Sequence, residues 1–152
     1  VSQPPGNPGD VVSDAARRSH PVVRGFLAIV GLTYVGLAIW CSVAPDQTAS
    51  AVGFTLAPGS GQSEFFVVYG GLELALGIAF LWPLRRPSDT EFALRLCCLV
   101  HSCLVVFRTA SFLKFTDIGA TTYSLAAGEW IILIGTYVMW FLWTRNREAE
   151  TT

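Results

Sequence analysis

Charge is what this chain has least of. Asp, Glu, Lys and Arg make up 14% of its 152 residues, against about 25% in an ordinary soluble domain. The shortfall is concentrated in long apolar blocks. The formal net charge is -1, so there is no basic field of the kind that holds nucleic acid, and nucleic acid is not an expected partner. Histidine is nearly absent. Of His20 and His101 only His101 lies inside an apolar run, which argues against a two-histidine haem site within the chain. The cysteines are Cys41, Cys97, Cys98 and Cys103. Their spacing offers no Cys-x-x-Cys pair or Cys/His loop set, so no metal site is expected from them. They read as small apolar residues of a packed bundle. A nucleophile motif and a phosphate-binding glycine loop are also missing. No catalytic residue is assigned, and the sequence requires no cofactor.

What the chain has in abundance is apolar length. Hydrophobic residues are 52% of the total, and they gather into four runs, each close to the roughly 20 residues a bilayer crossing needs. The runs predict helices over about 22–43, 63–84, 90–113 and 123–143. The expected fold is therefore all-α: an integral membrane bundle of four antiparallel transmembrane helices within residues 21–144. Residues 1–20 are rich in Pro, Gly, Ser and charge and are expected to be poorly ordered; 145–152 form a polar tail. The Arg17-Arg18 pair ahead of the first run resembles a signal-peptide n-region. The run is long and lacks a small-x-small site, so it is expected to stay as the first helix. After it, Pro45-Asp46 starts a mildly amphipathic stretch that Pro58-Gly59-Ser60-Gly61 ends, which predicts a short interfacial helix and a loop. The tight polar loop Arg85 to Thr90 makes helices two and three expected antiparallel neighbours.

Basic residues set the expected orientation. Arg17, Arg18 and Arg24 precede or open helix one, Arg85 and Arg86 join helices two and three, and Arg145 and Arg147 follow helix four. The first connection has no Lys or Arg, and the third has Lys114 alone. Both termini are expected on the cytoplasmic side of a bacterial inner membrane.

The polar residues inside the runs are the candidate functional residues, because ionisable groups in hydrocarbon mark partners or pathways. At about 1.5 Å per residue, Glu73 and His101 fall near the midplane, whereas Arg108 and Glu129 fall in the outer third. Two pairings follow: Glu73 with His101, and Arg108 with Glu129. Glu64 is a second possible partner for Arg108. Tyr69 shares a helix face with Glu73 and Gly77, and His101 and Arg108 share one with Cys97 and Leu104. Tyr69, Glu73 and His101 thus form a candidate ligand-binding or polar cluster. Gly71, Ala75 and Ala79, four apart, form a small-residue stripe that predicts close helix packing.

The order of features resembles a family of small four-helix bacterial membrane proteins known only as a domain of unknown function. The residues that carry it are Val43-Ala44-Pro45-Asp46, Gly53-Phe54, Glu64, Val68-Tyr69-Gly70-Gly71-Leu72, Leu76-Gly77, Phe107-Arg108 and Glu129, over roughly Val22 to Phe141. The resemblance implies a four-helix topology and no activity. A Glu inside a Gly-rich second helix is also similar to the quinone-associated DoxX type.

Three readings of function follow. The first is a non-catalytic accessory or structural subunit that packs in the lipid bilayer against other integral membrane subunits or as a homo-oligomer. The second is a small membrane protein that binds a lipid, quinone or pigment between helices two to four. The third is a proton-coupled carrier formed by an oligomer.

Overall fold

The computed structural model describes the backbone of residues 8–150 and the side chains of residues 21–145. Its α-helices are α1 (Pro8–Val43), α2 (Pro45–Ala51), α3 (Ser60–Phe65), α4 (Glu73–Leu81), α5 (Thr90–Lys114) and α6 (Ala120–Glu150). A π-helical segment, Phe66–Leu72, joins α3 to α4 without a break. Among the described residues there is no strand. Four stretches are long and apolar enough to cross a bilayer: Pro21–Val43, Ser60–Leu84, Pro87–Lys114 and Ala120–Arg145. They are spans one to four of an all-α membrane bundle.

The helices overrun the limits that apolar content alone suggests. Of the segment expected to be poorly ordered, residues 1–7 lie outside the described residues, and helical backbone begins at Pro8. A proline suits a helix's first turn, where its missing N–H is not needed. Span two begins at Ser60 rather than 63, and α6 begins at Ala120 and continues to Glu150, past the expected end at 143. First and last turns bury little, so their residues need not be apolar.

Span one is the hub. Its buried residues, Val23, Leu27, Val30, Tyr34, Ala38 and Cys41, recur at steps of three and four and form one continuous inward stripe. Ile29, Leu32, Ile39 and Val43 on its other side remain exposed to the surroundings, as a lipid-facing surface requires. Span two packs along span one, span four packs on another side of span one, and span three packs mainly on span four. The expected close pairing of spans two and three holds only near their shared loop. There α5 meets α4 and the short turn Trp82–Leu84, whereas the half of span two from Ser60 to Leu72 makes no extended contact with α5. A tight loop fixes where two helices begin, not how far they stay together.

The closest helix approach lies between spans one and two. A Cβ on Gly77 would fall 2.7 Å from Val35 Cγ2 and 3.0 Å from the Gly31 carbonyl oxygen. A Cβ on Gly31 would fall 2.8 Å from Leu81 Cγ and 2.9 Å from the Gly77 carbonyl oxygen. Gly31 and Gly77 are therefore the contact that brings two backbones together, the usual role of small residues between membrane helices. The stripe expected to do this, Gly71-Ala75-Ala79, does not. Gly71 and Ala75 are exposed, and a Cβ on Gly71 would meet nothing within 4 Å.

α2 lies across the rim where span one ends. Its Thr48 and Ala49 are buried, and Ala49 packs with Cys41 and Phe65. Asp46 accepts two hydrogen bonds of 3.3 Å from Gln62 Nε2, which ties α2 to the start of span two. Gly53 and Gly59, with φ of +83° and +77°, turn the chain between the two helices in a conformation open to glycine.

Gly77→Ala should lower the melting temperature of the detergent-solubilised protein, by an overpacking cost of about 1–3 kcal/mol. Gly71→Ala should leave it unchanged or slightly higher. Equal effects of the two changes in thermal melts would remove Gly31–Gly77 as the controlling contact.

Candidate functional site

The polar groups inside the bundle divide into three sets. The first joins spans three and four. Arg108 Nη2 donates to Glu129 Oε1 at 2.6 Å, and Arg108 Nε donates to Glu129 Oε2 at 3.1 Å. This is a two-point, side-on pairing of a planar guanidinium with a carboxylate, which adds direction to charge. The side chains are 27% and 14% exposed, so the pair is largely withdrawn from the surroundings. Ser111 Oγ donates to the Arg108 carbonyl at 2.7 Å. Glu64, the other possible partner, is exposed at the start of span two and forms no ion pair with Arg108.

The second set is a buried chain of hydrogen bonds through spans one, three and four. His101 Nδ1 lies 2.9 Å from the Cys97 carbonyl oxygen. A carbonyl only accepts, so Nδ1 carries the proton. In the neutral ring Nε2 is then an acceptor, and the Tyr34 hydroxyl, at 3.2 Å, donates to it. Thr136 Oγ1 donates to the Ile132 carbonyl at 2.7 Å. Its lone pairs remain free to accept from Cys97 Sγ, 3.3 Å away. His101 is 1% exposed and Tyr34 6%. Phe80 closes the group, its ring centroid 5.4 Å from that of Tyr34 and 6.2 Å from that of His101. The expected partner of His101 is thus replaced. Tyr34, at matching depth on span one, takes the place assigned to Glu73. Both ring nitrogens of His101 are thus engaged within the chain.

The third set is on span two. Tyr69 stacks on Phe65, with centroids 4.5 Å apart and planes 23° from parallel, and Phe54 packs edge-on to both rings. Glu73 follows directly after the π-helical Phe66–Leu72. Its Oε2 is buried and has no hydrogen-bond partner. The proposed trio of Tyr69, Glu73 and His101 is therefore not one hydrogen-bonded cluster: His101 is satisfied elsewhere, Tyr69 is held by aromatic stacking, and Glu73 stands alone.

A cleft of about 690 Å³ opens at the rim on this side of the bundle. Ser50, Val52 and Gly53 line one wall, and Ser111, Phe115 and Ile118 line the other. Ser111 is one helical turn from Arg108, so the cleft sits above the Arg108–Glu129 pair. Among the described residues no group of three His, Cys, Asp or Glu is placed to hold a metal ion. All four cysteines are free; Cys41 and Cys97 are buried and Cys103 is exposed.

Residues 22–141 match the family described as a domain of unknown function (DUF4345). That match does not extend to the DoxX type. Neither a curated protein nor a solved structure matches the chain.

Arg108→Leu should destabilise the protein by about 3 kcal/mol, because it strands the Glu129 carboxylate. Adding Glu129→Leu should recover part of the loss. Thermal melts of the two single variants and the double variant measure the coupling, and a double variant no more stable than Arg108→Leu would remove it.

Proposed function

The chain belongs to this family of unknown function, and we propose from its geometry that it binds a small amphipathic membrane molecule between spans two and three, with Glu73 as the polar contact. The observation that carries this reading is Glu73 Oε2, a buried carboxyl oxygen near mid-bilayer for which the chain provides no partner. An unmatched polar group in such surroundings is expensive to keep. A hydroxyl or amino group on a ligand would supply the missing donor. Two further features support it. The half of span two from Ser60 to Leu72, which ends just before Glu73, makes no extended contact with α5, so a ligand could separate the two helices there. The π-helical segment ends at Glu73, and such widened turns are frequent at functional sites. A lipid, a quinone or a pigment has the required apolar body and polar tip.

The second reading is an accessory subunit or homo-oligomer. It is favoured by Gly71 and Ala75, which turn outward on span two and would allow another helix a close approach. In either case the arginines that gather at one rim favour a bacterial inner membrane with both termini in the cytoplasm.

Extraction of the protein purified in mild detergent, followed by mass spectrometry and an absorption spectrum, tests the ligand reading. One compound should co-purify with the wild type and with Glu64→Gln and be missing from Glu73→Leu. The Glu73→Leu protein should at the same time melt higher, since it exchanges an unpaired carboxyl for an apolar side chain. Identical extracts from Glu73→Leu and wild type would refute the site. A stable oligomer in native mass spectrometry with no bound compound would favour the second reading.

A further inference from the structure

The opposite rim of the bundle holds a second unmatched group, of opposite charge. Arg24 lies three residues into span one, which begins at Pro21. Its Nη2 donates to the Leu84 carbonyl at 3.3 Å, one of the free carbonyls at the end of span two. Its Nε is buried and has no hydrogen-bond partner. Arg85 and Arg86 follow Leu84 directly, and both are exposed. No carboxylate pairs with these three arginines among the described residues. Glu91 is engaged by Arg95 at 2.6 Å, and Asp89 accepts from Ser88. Among the described residues the ends of spans one and two therefore present three arginines that no carboxylate pairs with, at the end of the spans where lipid headgroups would lie.

The surroundings are those of a lipid rather than of water alone. Trp82, Leu84 and Val22 are exposed beside the arginines. Trp82 is placed as an interfacial tryptophan is, and the apolar side chains offer a surface for acyl chains. We propose that Arg24, Arg85 and Arg86 form a binding site for the phosphate headgroup of an anionic phospholipid. Arg24, held by its bond to Leu84, brings to this rim a guanidinium suited to phosphate oxygens, and Arg85 and Arg86 add charge from the exposed side. Basic groups between membrane helices bind anionic headgroups by this chemistry. The site lies at the other end of the bundle from the rim cleft and is independent of any ligand at Glu73.

Titration of the full-length protein in neutral detergent with phosphatidylglycerol, followed by melting temperature and native mass spectrometry, tests the site. Phosphatidylglycerol should raise the melting temperature to a plateau and appear as a bound lipid, and phosphatidylcholine with the same acyl chains should do neither. The double variant Arg85→Gln/Arg86→Gln changes only exposed side chains. It should keep the wild-type circular dichroism and need about tenfold more phosphatidylglycerol for the same rise. Arg145→Gln, which removes another exposed rim arginine, should respond as the wild type does. An equal response to phosphatidylcholine, an unchanged response in the double variant, or an equal loss in Arg145→Gln would overturn the site. Inorganic phosphate that reproduced the rise at equal phosphate concentration would overturn the lipid assignment and leave a simple anion site.

Discussion

Hydrocarbon offers no partner to a polar group, and this constraint governs the inside of the bundle. Almost every polar side chain there answers it within the chain. Arg108 and Glu129 satisfy each other at two points. His101 gives one ring nitrogen to the backbone of its own helix and the other to Tyr34. Thr33, Thr136 and Ser124 turn back to carbonyls four residues earlier, a local solution that requires no second helix. Cross-helix bonds in membranes contribute about 1 kcal/mol or less each. Their larger effect is to fix which faces meet, since a slip of one helix would strand several groups at once.

The apolar contacts show the same economy. Span one carries a long buried stripe, and the others are arranged around it. Where spans one and two cross, the absence of side chains at Gly31 and Gly77 lets backbone approach backbone. That crossing draws span two toward span one and away from span three. The loop from Arg85 to Thr90 holds spans two and three together at one end only. The separation at the far end is thus a consequence of a glycine contact elsewhere, and Glu73 lies where it begins.

Much of this was legible in the sequence. Apolar run length and the basic connections marked four spans, and depth counting brought Arg108 to Glu129, because both depend on rise per residue, which hardly varies. What depended on helix rotation was less legible. Gly71, Ala75 and Ala79 share a stripe on an ideal α-helix, yet Gly70 and Gly77 are the buried glycines of span two. The π-helical Phe66–Leu72 advances by a smaller angle per residue than an α-helix. It therefore turns everything before it relative to everything after it, and no apolar period signals its presence. The role of Tyr34 is hidden in the sequence for a different reason. A tyrosine within an apolar run reads as packing unless its depth is compared with that of His101, the one histidine that needs an acceptor and a donor together.

The features least useful to stability coincide in one place. A π-helical segment forgoes the better hydrogen-bond geometry of the α-helix, Gly70 and Gly71 weaken helix propensity, and Glu73 leaves a carboxyl oxygen unmatched. Gly70 has a packing reason, since a Cβ there would lie 2.5 Å from Ser42 Oγ. Gly71 has none inside the chain, and neither does Glu73. A leucine at position 73 would be expected to pack as well and insert more readily. Sequences that fold reliably agree with their structure at every level, and the places where they do not are the ones to read for function. Span two departs from that agreement over Phe66 to Glu73, beside the part of the bundle its own helices leave open. That coincidence, more than any single residue, is what the proposal of a ligand at Glu73 rests on.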